Sequence, residues 1–197
     1  ANADGNYIGF MGATSWEGFY LQEADGTVWH TAKSGSTATP FFLTTDAAEG
    51  TWDLWFPGQS GCYYTNVNTT KKLWTALWMP TLNVSGIDGG ITMEYKRDKN
   101  QWQGIFTATG AGTINIQMNG TGKLYDNTSV SGADNSIDDT KAKDTSFAFS
   151  GSANELTFNT GTNVSAGNIT VNVPVAGECT LIIDLNDPQA WKVEVME

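Results

Sequence analysis

Two stretches of thirty residues constrain this chain more than anything else in it. Gly50–Met79, "GTWDLWFPGQSGCYYTNVNTTKKLWTALWM", and Gly167–Met196, "GNITVNVPVAGECTLIIDLNDPQAWKVEVM", align without a gap at an offset of 117. Identities fall at Gly50/Gly167, Pro57/Pro174, Cys62/Cys179, Trp74/Trp191 and Met79/Met196. They include the only two cysteines of the chain, and the apolar alternation is expected to stay in phase between them. Such self-similarity points to one supersecondary unit used twice. A second alignment sets "FYLQEADGTVW" (19–29) on "TMEYKRDKNQW" (92–102) at an offset of 73, with Asp25 on Asp98 and Trp29 on Trp102. The offset then grows from 73 to 117, so the second unit carries 44 additional residues, roughly between Gly120 and Gly167.

Within each unit the apolar residues alternate over short runs. "TWDLWF" (51–56), "CYYTNV" (62–67), "ITVNVP" (169–174) and "TLIIDL" (180–185) have period two, and Gly-containing turns such as Asp25-Gly26 and Pro57-Gly58 separate such runs. No convincing helical period appears. Many short alternating strands with Gly-rich turns predict antiparallel β-sandwiches. The boundary is expected near Pro80, giving units 1–79 and 80–197, with one continuous sandwich as the alternative. The additional residues, about 120–166, hold a long loop and a hairpin, "SFAFSGSANELTFNTG".

Composition removes several functions. The 197 residues carry a net charge of −11, which opposes nucleic acid and anionic membrane surfaces alike, since both demand basic patches. No apolar run approaches transmembrane length. The opening "ANADG" shows no signal peptide, so a mature form or a piece of a longer protein is expected. Cys62 and Cys179 occupy equivalent positions in separate units and are expected as buried free thiols.

Catalytic and metal chemistry is thin. His30 is the only histidine and lies mid-strand, which rules out a multi-His metal site and leaves a Ser–His–Asp triad with no strained turn to stand on. Asp134, Asp138 and Asp139 could offer oxygens to Ca²⁺, but their spacing is not that of an EF-hand loop, and a solvated acidic loop is the simpler reading. Neither a metal, a cofactor nor an enzymatic activity is therefore expected.

The order of motifs resembles a known family. Each unit begins with a strand ending in Gly ("YIGFMGATSW", "LNVSGIDGG") and continues with a strand, turn and Trp ("DGTVW", "DKNQW"). The second unit closes with "GNITVNV", "GECTLIIDLN" and "AWKVEV". This is similar to the tandem C-terminal domains of SusE- and SusF-type outer-membrane lipoproteins of Bacteroidetes. Cys179-Thr180 replaces the usual aromatic, and the first unit keeps "GCYYTNVN" and "LWTALWM" without the Asp-Leu pair. The resemblance implies immunoglobulin-like sandwiches and a surface protein that captures polysaccharide or oligosaccharide, starch-like glucan among them, without catalysis. It also implies lipid anchoring through an N-terminal region not present in this chain, and neighbouring outer-membrane uptake proteins as partners. A structural or interaction module, adhesin-like or a spacer, is the alternative.

Glycan capture needs exposed aromatic rings for the C–H face of a sugar, with polar side chains beside them. Alternation turns Trp52, Leu54 and Phe56 inward and leaves Asp53 and Trp55 outward; Trp55 aligns with Asn172. Trp74 and Trp78 align with the inward face of the last strand, and Trp29 with Trp102, so these are expected in the core. Trp16, in the turn "GATSWEG", and Tyr63, opposite Cys62 and Tyr64, join Trp55 as candidate platforms. Asp53, Lys72 and Asn66 are the candidate polar companions. Tyr95 and Tyr125 are the candidates in the second unit.

Overall fold

A computed structural model describes residues 4–48, 50–132 and 136–197, with the backbone alone for residues 50–52. The described residues form antiparallel strands and two short 3₁₀ turns, Arg97–Lys99 and Asp139–Lys141. The chain folds as two tandem β-sandwich domains. By contacts the compact units depart from a cut at Pro80 in two places. Gly9–Gly12 lie with the second unit, and Lys123–Lys143 lie with the first.

In the first unit, strands Val28–Ser34 and Thr37–Thr44 form a hairpin over Gly35, whose φ of +62° suits the tight turn. Strand Gly61–Asn68 pairs with Leu73–Met79, and the turn between them ends on Lys72 in left-handed backbone. A third ladder, two residues long, joins Gly18–Phe19 to Leu54–Trp55. Their inward side chains make an aromatic core. Trp74 meets Phe19 edge-on at 5.1 Å and Phe41 at 4.9 Å, and Phe56 lies 4.7 Å from Tyr63. Offset and edge-on aromatic pairs add about 0.5–1.5 kcal/mol each beyond the area they bury. Tyr125 and Ile137, from the returning segment, complete this core, with Tyr125 opposite Ala76 and Lys123 opposite Trp78 on strand Leu73–Met79.

The second unit has a four-stranded sheet in the order Glu94–Lys96, Gln101–Ala108, Gly177–Asp184, Lys192–Met196. Strand Gly112–Tyr125 pairs with Ile169–Val173 from Gly112↔Val173 to Ile116↔Ile169. Strands Lys143–Ser152 and Glu155–Gly161 form the hairpin expected in the additional residues. Alternation sorts the side chains as strand geometry requires: Trp102, Phe106, Leu181, Ile183, Ile169 and Val171 are buried. Phe10 joins this core, with its ring 4.9 Å from Phe158 and 4.8 Å from Trp191. Asn100 pins that segment. Its amide donates to Phe10 O (3.0 Å) and Leu185 O (3.1 Å), while its Oδ1 accepts from the Tyr95 hydroxyl at 2.6 Å.

The repeat is visible in the strands but not in every ladder. At an offset of 73, strands Leu21–Gln22 and Val28–Ser34 fall on Glu94–Lys96 and Gln101–Ala108, and both pairs are hydrogen-bonded. At 117, the Gly61–Asn68/Leu73–Met79 hairpin falls on Gly177–Asp184/Lys192–Met196. Trp29, Trp102, Trp74 and Trp191 are all buried, and Cys62 and Cys179 are buried free thiols. The ladders around the repeated strands differ, and one case is clear. Gly177–Asp184 pairs with Gln101–Ala108 over eight residues, whereas its equivalent, Gly61–Asn68, pairs with Asn6–Ala13.

Candidate functional site

The short ladder in the first unit explains why aromatic surface collects there. Phe19, Leu54 and Phe56 point into the core. Leu54 and Phe56 are 0% and 1% exposed, and the Phe19 and Phe56 rings lie 4.8 Å apart. The other face carries Gly18, Asp53 and Trp55. Gly18 stands opposite Trp55, and a Cβ there would lie 3.5 Å from the Asp53 side chain, so glycine leaves a gap beside that carboxylate. Tyr20, two residues beyond Gly18, is 62% exposed.

Trp16 stands at the end of this face. The turn before the ladder closes with Glu17 N–H donating to Thr14 O, while the Glu17 carboxylate accepts from the Thr14 N–H at 2.7 Å. That turn puts Trp16 in left-handed backbone (φ 59°) with its side chain 52% exposed. For a bulky residue this conformation costs about 1–2 kcal/mol, and such outliers collect at binding sites. The ring lies on Gly58, where a Cβ would sit 2.9 Å from the indole, so only glycine allows the approach.

The loop Pro57–Ser60 beneath it is held through three of its residues. Pro57 O accepts from the Trp16 N–H, Gln59 O from the Tyr63 hydroxyl at 2.6 Å, and Ser60 O from the Trp78 indole at 3.1 Å. The Ser60 hydroxyl accepts from the Ser15 N–H. Trp16 and Trp78 thus flank one braced loop, and Trp55 leads into it. Trp78, expected in the core, is only half-buried, because its indole reaches out to Ser60.

The structure redistributes the other candidates. Asp53 is exposed, as expected. Trp55 is half-buried and packs partly against the aromatic core, so its ring is not freely exposed. Tyr63 is not exposed. It is fully buried on Phe56, because Tyr63, Thr65 and Val67 face the core while Cys62 on the other face is covered as well. Burial raises the Tyr63 phenol well above its usual pKa and keeps it a donor. Lys72 is exposed at the far end of strand Leu73–Met79, about 20 Å from Trp78 by strand rise. Asn66 lies about 16 Å along its strand from Gly61, and its buried Oδ1 has no hydrogen-bond partner among the described residues. Neither joins the platform. Tyr95 bonds Asn100, and Tyr125 is buried in the first unit, donating to Asp139 at 2.9 Å.

The acidic loop spends its oxygens internally. Asp138 accepts from the Thr140 hydroxyl (2.6 Å) and N–H (3.0 Å), and these bonds hold its carboxyl below the usual range. Asp139 accepts from Tyr125 and Gln59, and Asp134 lies outside the described residues. Among the described residues no group of three His, Cys, Asp or Glu is placed to hold a metal ion. The inward expectation for Trp52 also falls on a side chain outside the described set.

Tyr20 is the residue that sequence reasoning missed. Alternation in "GFYLQ" puts Phe19 and Leu21 on one face and Tyr20 on the other, so the signal was present. The second unit holds an open cleft of about 550 Å³ lined by Gly90, Ile91, Glu94, Gln103, Ile105 and Thr180. It has volume but no aromatic ring, and the aromatic face of the first unit is the better fit to a ring-stacking ligand.

Residues 1–79 match a family described as a domain of unknown function (DUF5111), and residues 83–197 match a second, described likewise as a domain of unknown function (DUF5114). The two matches lie on either side of Pro80. No curated protein and no solved structure matches the chain significantly. The second match spans more than half of the chain, which therefore belongs to the DUF5114 family.

Proposed function

We propose that the first unit is a non-catalytic carbohydrate-binding domain that captures polysaccharide on Trp16, with Tyr20, the half-buried Trp55 and the Asp53 carboxylate beside it. One observation carries this reading. Trp16 is held out to solvent in a costly backbone conformation, over a braced loop. A large ring kept half at the surface forfeits roughly 1–2 kcal/mol of burial, and the bracing fixes its orientation. Sugars use such a surface well, because their C–H faces stack on indole while their hydroxyls take hydrogen bonds from and to neighbouring polar groups. Pre-formed rings also spare the ligand the cost of ordering them.

The same reading extends to the setting. The motif order resembles SusE- and SusF-type lipoproteins. On that basis we place the protein at the cell surface, lipid-anchored in the outer membrane, as part of a glycan-uptake system. No helix among the described residues is long and apolar enough to cross a membrane.

Affinity electrophoresis on amylopectin, xylan, galactomannan and pectic galactan tests the reading. Retardation by at least one polymer, reduced about tenfold in affinity by Trp16→Ala, is the expected result. Migration unchanged on every polymer would leave the chain a structural or interaction module.

A further inference from the structure

The loop that carries the aromatic platform is tied to a segment remote in sequence. Gln59 Nε2 donates to Asp139 Oδ2 at 3.2 Å, and Asp139 Oδ1 accepts from the buried Tyr125 hydroxyl at 2.9 Å. Tyr125 is anchored twice, by its ladder to Ala76 and by its place in the aromatic core. Gln59 in turn accepts from Tyr63, another core phenol, through its main-chain oxygen. The side chain of Gln59 is therefore fixed from one side by Asp139 and its backbone from the other by Tyr63. Gly58, its neighbour, is the surface on which the Trp16 ring rests.

We propose that Asp139 is a positioning residue of the platform. Through Gln59 it sets the loop Pro57–Ser60, and through the loop it sets the Trp16 ring. This rests on the carbohydrate-binding reading. It adds that residues 1–79, the span of the first family match, do not hold the whole site, because the brace arrives with the segment Lys123–Lys143. Asp139 touches no ligand in this scheme. It acts by removing alternative loop conformations before binding, which is the usual gain from pre-organisation.

The geometry suggests a rescue that a general loss of stability would not show. Gln59→Glu sets two carboxylates against each other, and Asp139→Ala removes the acceptor. Gln59→Glu combined with Asp139→Asn rebuilds the bond with donor and acceptor exchanged. The introduced amide donates to the introduced carboxylate, the amide carbonyl still accepts from Tyr125, and net charge is conserved. Two readouts apply to each protein. One is hydrogen exchange at the Trp16 amide, which reports the bond to Pro57 O without any ligand. The other is affinity electrophoresis on the same four polymers. Each single variant is expected to raise Trp16 amide exchange and weaken polymer binding about fivefold, and the double variant to return both to near wild type. Wild-type behaviour of both single variants, or a double variant no better than Gln59→Glu alone, would overturn the assignment. Should exchange follow this pattern while Trp16→Ala binds polymer as wild type does, the brace stands and the glycan reading fails.

Discussion

Leu54, Trp55 and Asp53 are neighbours in sequence with three different environments, and their substitution should separate cleanly. Leu54 is fully buried under the aromatic core, so Leu54→Ala should cost about 2–5 kcal/mol through the cavity it leaves. Trp55 keeps part of its ring on that core, and Trp55→Ala should cost about 1–2 kcal/mol. Asp53 is exposed, and Asp53→Ala should stay within about 0.5 kcal/mol. Urea melts measure all three; equal losses would contradict the face assignment. This strand was legible because alternation alone sorts "DLWF". Tyr63 was not, because alternation reports a face only when one face is wet, and strand Gly61–Asn68 is covered on both. The placement of Lys72 and Asn66 was not legible either, because alternation reports the face of a strand and not which end of it a side chain occupies.

The elements hold each other through a few polar pins, and Asn100 is the clearest. It sits in left-handed backbone (φ 50°) after the Arg97–Lys99 turn, and its side chain bonds Phe10, Leu185 and Tyr95. Alanine would lose all three bonds and fit the backbone worse. Asn100→Ala should therefore destabilise by about 2–4 kcal/mol, whereas the neighbouring exposed Lys99→Ala should be close to neutral. Thermal melts decide it, and a melting temperature equal to wild type for Asn100→Ala would show that the pin contributes nothing. Such pins are hard to read from sequence. Asparagine in "KNQW" signals a turn, but its partners are 90 and 85 residues away. The strands themselves, the hairpin in the additional residues and the buried Trp29, Trp74, Trp102 and Trp191 were legible, because each depends on local period and turn chemistry.

At the scale of the molecule, the sequence boundary and the compact units differ, and that difference is measurable. Phe10 belongs to the core of the second unit and Tyr125 to the core of the first. A chain cut at Pro80 would strip each unit of a core aromatic, a loss of about 3–5 kcal/mol per ring by analogy with large-to-small core changes. Fragments 1–79 and 80–197 should thus show broadened or absent unfolding transitions in calorimetry where the whole chain unfolds sharply. Two fragments that each melt as cooperatively as the intact chain would refute the exchange of segments. Repeat alignment could not see this, because the exchanged pieces lie where the two units align least. The central claim remains the exposed ring of Trp16, and one paired measurement addresses it most directly. Wild type and Trp16→Ala are titrated side by side on the polymer that most retards wild type, with a thermal melt of each. The expected result is a roughly tenfold weaker affinity, about 1.4 kcal/mol, with a melting temperature close to that of wild type, since about half of the side chain already lies in solvent. Equal affinities for the two proteins would contradict it.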